Sequence, residues 1–426
     1  MKYFKLAYDM LTHKLLFNII IIIEIAAVLT LTNIVISAYN GKAMLYEPYK
    51  EMLQNSGVVI DHDLNMGMRS NHEDIKKIVD KYNYLYYPEF FKLLEEKLQG
   101  EIKIDYTKFY FLSVENSEIK PNLNSYNAVQ LIGIEHEKFA ELQLPLAYGK
   151  WASSDITKDN EVEIVISGGS NAELNKTYNT AIGKLKVVGI LTNNTYVPPG
   201  ISYEDKKEEL SIFDYYQAYD CNISLRAPFA IVDRNLYDKI VGIDDPNYGS
   251  NIFISYGQVD SKTAENNTAY LKEIGCTGRF LYYNEDFYTI REQSEKYLSN
   301  IYLRMLPIMI AALLVVIAGL TGAMSMSAVK EMKTFGILYL CGCHWQNCKK
   351  IISAQTTIII SLSIILTIFT LSVMNIINIE YLIGASFDWN NIYISFIELA
   401  IMYLLSVIIP KNMISNSSPT TVIKEN

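Results

Sequence analysis

The sequence predicts a membrane protein of four transmembrane helices, one before and three after a large extracytoplasmic α+β domain. Three observations predict it. Four apolar runs are each long enough to cross a bilayer as a helix. Residues 40–298, between the first run and the second, contain none. Lysines also crowd one and the same side of the runs. Half of the 426 residues are hydrophobic while 19% are charged, so apolar material is concentrated in segments.

In residues 1–16, Phe4, Ala7, Leu11 and Leu15 fall on one helical face and Lys5, Asp9 and Thr12 on another, the pattern of a cytoplasmic interfacial helix. The first span, 17–39, holds a single acid, Glu24. Its apolar core exceeds that of a cleavable signal peptide, and Ile36 stands where a small residue would precede a cut after Ala38. An uncleaved helix is the better reading. A stalk follows and ends near Gly57.

Within 40–298, helices are expected over 71–83, 89–98 and 261–275. Strands rich in β-branched and aromatic residues are expected over 108–114, 128–134, 161–167, 184–191, 228–233, 251–257 and 279–284. The domain reads as two small subdomains meeting near "NNTYVPPG" (193–200). It carries 27 Lys and Arg against 39 Asp and Glu, a net of −12 that argues against nucleic acid or anionic lipid as its partner. The acidic, histidine-bearing stretch 61–74 reads as a solvated loop. From 287 a helical period runs straight into the second span, 299–329; the third and fourth cover 351–377 and 391–410.

Orientation follows from the lysines. Lys2, Lys5 and Lys14 precede the first span, Lys330, Lys333, Lys349 and Lys350 lie in the 330–350 loop, and Lys411 opens the 411–426 tail. The 378–390 loop has no Lys or Arg. Both termini and the 330–350 loop are thus expected in the cytoplasm of a multi-pass cell-membrane protein.

Several residues stand out for local chemistry. Gly319, Ala323 and Ser327, four apart, form a small-residue ridge suited to close helix packing in lipid. Acids within spans are costly, and Glu398 and Arg304, both near outer ends, are candidates for an ion pair. Cys221 and Cys276 are candidates for an external disulfide. Cys341, Cys343, His344 and Cys348 cluster in the cytoplasmic loop, but their spacing is not that of a zinc site and no second ligand pair exists on that side. Gly342 fits a break between two short helices. No G-x-x-x-x-G-K-S/T, G-x-S-x-G or H-E-x-x-H occurs, so no enzyme activity, metal or cofactor of the chain's own is expected.

The layout then resembles the permease subunits of the MacB/FtsX-like class of ABC transporter, those without a fused ATPase. Four stretches carry the likeness: "AVQLIGIEHEKFAELQLPLAYGKW" (128–151), "EIVISGGSNAELNKTYNTAIGKLKVVGIL" (163–191), "VKEMKTFGILYLCGCHWQNCKKII" (329–352) and the tail "IPKNMISNSSPTTVIKEN" (409–426). The loop departs from the family pattern in carrying cysteines and Trp345, and the tail is poor in Arg. The resemblance implies a cytoplasmic ABC ATPase partner that binds the ATP, a second permease copy or paralogue, and surrounding membrane lipid. It further implies that 330–350 is the coupling loop, with Glu331, Phe335, Gly336, Ile337, Leu338, Gly342 and Trp345 at the ATPase contact, and Phe335, Leu338 and Trp345 as groove anchors. The function implied is mechanotransmission: ATP hydrolysis moves the external domain to export a peptide, antibiotic, toxin or lipid-like substrate. Alternatives are a signal transmitter that activates an external cell-wall hydrolase, and a receptor that needs no ATPase.

Overall fold

The computed structural model describes residues 2–62, 72–121, 127–135, 146–156, 160–167, 170–191, 195–197, 210–215, 217–219, 228–242, 251–275, 281–377 and 387–417. The chain divides into two compact units, residues 1–40 with 300–426, and residues 41–299.

The first unit is a helical bundle. Helix α1 (Lys2–Thr12) is separated by a short turn from α2 (Leu15–Lys50). Later in the chain come four more bundle elements: α7 (Phe287–Lys330), α8 (Met332–Leu340), α9 (Trp345–Ile377) and α10 (Trp389–Asn416). Four of these helices, α2, α7, α9 and α10, are long and apolar enough to cross a membrane. They are not equivalent. In α2 56% of the apolar window is buried, against 17–22% in the other three. Ile21, Ile25, Val28 and Leu29 of α2 pack with Val316, Leu320 and Met324 of α7, Ile359 of α9 and Met402 of α10. The first span is therefore the bundle's central post.

Among its described residues the second unit holds two large sheets and a two-stranded ribbon. β1 (Ser56–His62) lies between β12 (Asn251–Gly257) and β13 (Leu281–Asp286), antiparallel to both, with β2 (Lys103–Asp105) beyond β12. Alternation along the strands turns Val58, Ile60, Ile252, Ile254 and Tyr256 to one face. There they meet Ile75 and Ile78 of α3 (Glu73–Tyr82), Phe90 and Leu94 of α4 (Tyr87–Lys97), and Leu271 and Ile274 of α6 (Ser261–Gly275). The strands expected at 251–257 and 279–284 and the helix expected between them at 261–275 are thus present, but with β1 inserted between the two strands. β1 falls partly in the expected stalk and partly in the expected acidic loop. His72 in that stretch caps α3, its Nδ1 accepting from the Asp74 amide at 3.4 Å.

The second sheet runs β3 (Lys108–Ser113), β4 (Ala128–Ile134), β11 (Phe229–Asp233), β6 (Glu161–Ile166), β8 (Gly183–Leu191). The outer edge of β8 is shared: β7 (Thr177–Thr180) pairs its first half and β5 (Leu146–Gly149) its last. β4–β11 and β6–β8 are parallel and the remaining pairs antiparallel. β9 (Thr195–Val197) and β10 (Gln217–Tyr219) form a separate two-stranded ribbon.

The boundary between the sheets differs from the expected one at 193–200. The chain leaves the first sheet after Asp105 and enters the second at Lys108. Side chains staple this crossing. Arg234, opening α5 (Arg234–Ile240), donates to the Tyr106 carbonyl at 3.0 Å and lies over the Tyr106 ring. Lys108, fully buried, pairs with Asp238 at 2.6 Å.

Candidate functional site

The joint between α8 and α9 occupies 330–350, where the coupling loop is expected. Its turn is a helix C-cap of the Schellman type. The Cys343 amide donates to the Leu338 carbonyl at 2.9 Å and the Gly342 amide to the Tyr339 carbonyl at 2.9 Å. Gly342 takes φ +91°, a left-handed conformation costly for any residue with a Cβ. Next to it His344 starts α9, its Nδ1 accepting from the Gln346 amide at 3.3 Å. Gly342 ends one helix and His344 begins the next. Cys341 is exposed while Cys348 is wholly buried, so the cysteines point to different surroundings.

Packing divides the residues of this joint into two sets. Phe335 is wholly buried and Gly336 is buried beside it, and Phe335 packs with Ala7 and Met10 of α1, Cys348, Ile351 and Ile352 of α9, and Ile414 of α10. Leu338 and Trp345 pack against the same cluster. The Trp345 indole N–H donates to the Ile414 carbonyl at 2.9 Å, alongside the Ser417 amide that caps α10 there at 3.3 Å. Lys349 reaches Ser415 at 3.0 Å, and Glu331 is salt-bridged to Lys14 at 3.5 Å. Of the expected anchors, Phe335 is spent on the chain's own core, where α1 and the end of α10 cover the face of α8 that carries it, while Leu338 and, at the start of α9, Trp345 are half-buried against that core.

What α8 exposes instead is Ile337 (54%), Tyr339 (42%) and Leu340 (68%), with Lys333 also exposed. Tyr339 is held edge-on to Trp345, ring centroids 6.1 Å apart. Three large apolar side chains thus stand on a platform buttressed from behind by three helices.

The small-residue ridge of α7 faces the chain's first two helices. A Cβ on Gly319 would come within 3.5 Å of Glu24 Oε2, Ala323 packs in the α2 core, and Ser327 accepts from Lys14 at 3.3 Å. The Arg304–Glu398 ion pair does not form. Arg304 is exposed, whereas Glu398 is buried and its Oε1 accepts from Thr32 of α2 at 2.9 Å. Matching depth along two helices is not enough, because one side chain is exposed and the other is buried against α2. Cys221 and Cys276 lie outside the described residues.

Sequence reasoning missed a polar seam joining α2 to α10. Asn391, wholly buried, donates to the Asn33 carbonyl at 3.1 Å and to Ser37 at 2.8 Å, and accepts from Asn40 at 3.3 Å. Asn33 also donates to Ser395 at 2.9 Å, and Asn40 to Asp388 at 2.9 Å. A signal existed: Asn33, Ser37 and Asn40 recur at four- and three-residue spacing at the end of an apolar run.

The second unit has an open cleft of about 540 Å³, whose lining includes Ser56, Tyr256, Glu265, Lys272 and Arg291. Its charges are mixed and it singles out no ligand. Burial pushes the Tyr256 phenol up to about 12, against the opposing hydrogen bond with Thr268, so it stays a neutral wall of the cleft.

No family model matches the chain, and no curated protein matches it in sequence. Among solved structures it is similar to the periplasmic region of MacB from Actinobacillus actinomycetemcomitans. The identity is 13% over 60% of this chain and 98% of that one, with a TM-score of 0.28. It is also similar to the extracellular domain of the noncanonic ABC-type transporter YknZ from Gram-positive bacteria, at 11% identity over 50% and 88% of the two chains, TM-score 0.25. Scores this low carry no argument for activity.

Proposed function

We propose that the chain is the permease subunit of an ABC transporter, and that α8 with its turn is the surface on which a separate cytoplasmic ATPase acts. The observation that carries this reading is the division of the joint. One face is locked into the bundle by Phe335, Trp345 and the Ile414 carbonyl, and the other presents Ile337, Tyr339 and Leu340. A push on an exposed apolar face backed by a rigid core is passed to α7 and α9 rather than absorbed locally. The order of one apolar helix, a large polar unit and three further apolar helices supports the same reading, as does the lysine-rich side on which the joint lies. On this reading a second permease copy or paralogue completes the assembly, ATP is bound by the partner, and residues 41–299 move against an exported substrate.

The test is purification of the tagged full chain from membranes, with the co-purifying ATPase activity measured. Ile337→Asp with Leu340→Asp is expected to lower ATPase recovery about tenfold or more while leaving the melting temperature of the chain near wild type. An unchanged recovery from a folded double variant, or no ATPase with wild type under mild extraction, would sink the proposal. Trp345→Ala is the wrong probe, since it removes a buttress and the hydrogen bond to Ile414.

A further inference from the structure

At the end of the bundle where α1 turns into α2, a cavity of about 260 Å³ opens between these helices and the last turns of α7. Its polar lining is Lys14, Asn18, Ser327 and Lys330, and its apolar lining includes the exposed Phe17 and Met326. Lys14 contacts Ser327 and Glu331, at 3.3 and 3.5 Å. Lys330 is exposed and forms no salt bridge among the described residues. Two ammonium groups against the single carboxylate of Glu331 leave one positive charge uncompensated, the complement of a phosphodiester.

The apolar side sets the occupant. Phe17 and Met326 are 45% and 56% exposed, and Leu15 and Leu16 beside them 60% and 78%, an exposed apolar surface of the kind hydrocarbon covers. α1, which packs on the bundle through Ala7 and Met10, leaves Phe4 and Tyr8 51% and 59% exposed, as an interfacial helix would. A free phosphate has no use for such a wall, whereas a lipid lays its acyl chain along it.

We propose that this cavity is a site for an anionic phospholipid, its phosphate between Lys14 and Lys330 and an acyl chain against Phe17 and Met326. Lipid phosphates border the hydrocarbon in either leaflet, so the site depends neither on chain orientation nor on the ATPase reading. Occupancy would tie α1 and α2 to the end of α7, beside the α8 joint.

The purified full chain is titrated with phosphatidylglycerol or phosphatidylcholine, and bound lipid is counted by native mass spectrometry. Wild type is expected to retain phosphatidylglycerol in preference. Lys330→Gln should cut that retention about fivefold, Lys330→Arg should keep it, and Lys333→Gln, an exposed lysine outside the cavity, should leave it unchanged. Melting temperatures near wild type establish that the variants fold. Equal retention of the two lipids, or an equal fall in Lys333→Gln, would overturn the proposal. Full displacement of the lipid by inorganic phosphate would also overturn it, since the site would then be one for a free anion.

Discussion

The two units differ in what they leave exposed. In residues 41–299 the wholly buried side chains are mostly apolar, as in the clusters around Phe90 and around Ile164, and charged residues are largely outside. In the bundle the order is partly reversed. Asn33, Asn391, Thr32, Ser406 and Glu398 are buried, while Leu16, Leu303, Val315, Ile365 and Phe396 are exposed. The difference teaches which solvent each unit is built for. Water drives apolar groups inward. Hydrocarbon is indifferent to them, so helices there associate through close packing and hydrogen bonds.

The largest effect that could break this comparison lies in residues 41–299, where packing carries the fold. Gly149 has φ +88°, and a Cβ there would stand 2.1 Å from the Val188 carbonyl. Gly149→Ala is expected to cost about 2–4 kcal/mol, read as lost hydrogen-exchange protection in β5 and β8 of the full chain. Unchanged protection would mean that the edge of this sheet is not packed as described. Next comes the bundle. Asn391→Ala removes the hub of the α2–α10 seam and should cost about 1–2 kcal/mol of stability in detergent, whereas Phe369→Leu on the exposed face of α9 should cost almost nothing. If the two variants melt alike, polar contacts do not hold the bundle.

The smallest effect sharpens the contrast through pH. The Asn179 amide, at 2.7 Å, and then the Asn179 side chain hold the Glu118 carboxyl below its usual range. A depressed carboxylate contributes stability that is present above its unfolded value of about 4.3 and is lost as pH falls through the folded value. Glu118→Gln should therefore remove this small contribution at neutral pH, leave stability at low pH unchanged, and so flatten the acid limb of unfolding of residues 41–299. A steeper acid limb in the variant would contradict the sign.

Element types were legible where period and composition agree. The strands at 128–134 and 251–257 stand where β-branched alternation puts them, and the helix at 261–275 where its polar and apolar residues do. β1 was missed because "SGVVIDH" is short and lies between two polar stretches; its place between β12 and β13 is a long-range pairing without a local mark. The candidate site was half legible. Gly342 as a break is local chemistry, visible in one residue. Which face of α8 is free is not local, because it depends on α1 and Ile414, hundreds of residues from one another.

By itself the sequence determined how many apolar helices there are, their order about one polar unit, and the turn at Gly342. These follow from hydropathy and backbone conformation, which each segment carries alone. Tertiary structure alone decided that α2 is the central post, that Glu398 meets Thr32 and not Arg304, and that Phe335 and Trp345 face inward while Ile337 and Leu340 face out. The physical reason is that hydropathy measures what a side chain prefers, whereas burial depends on which other element arrives to cover it.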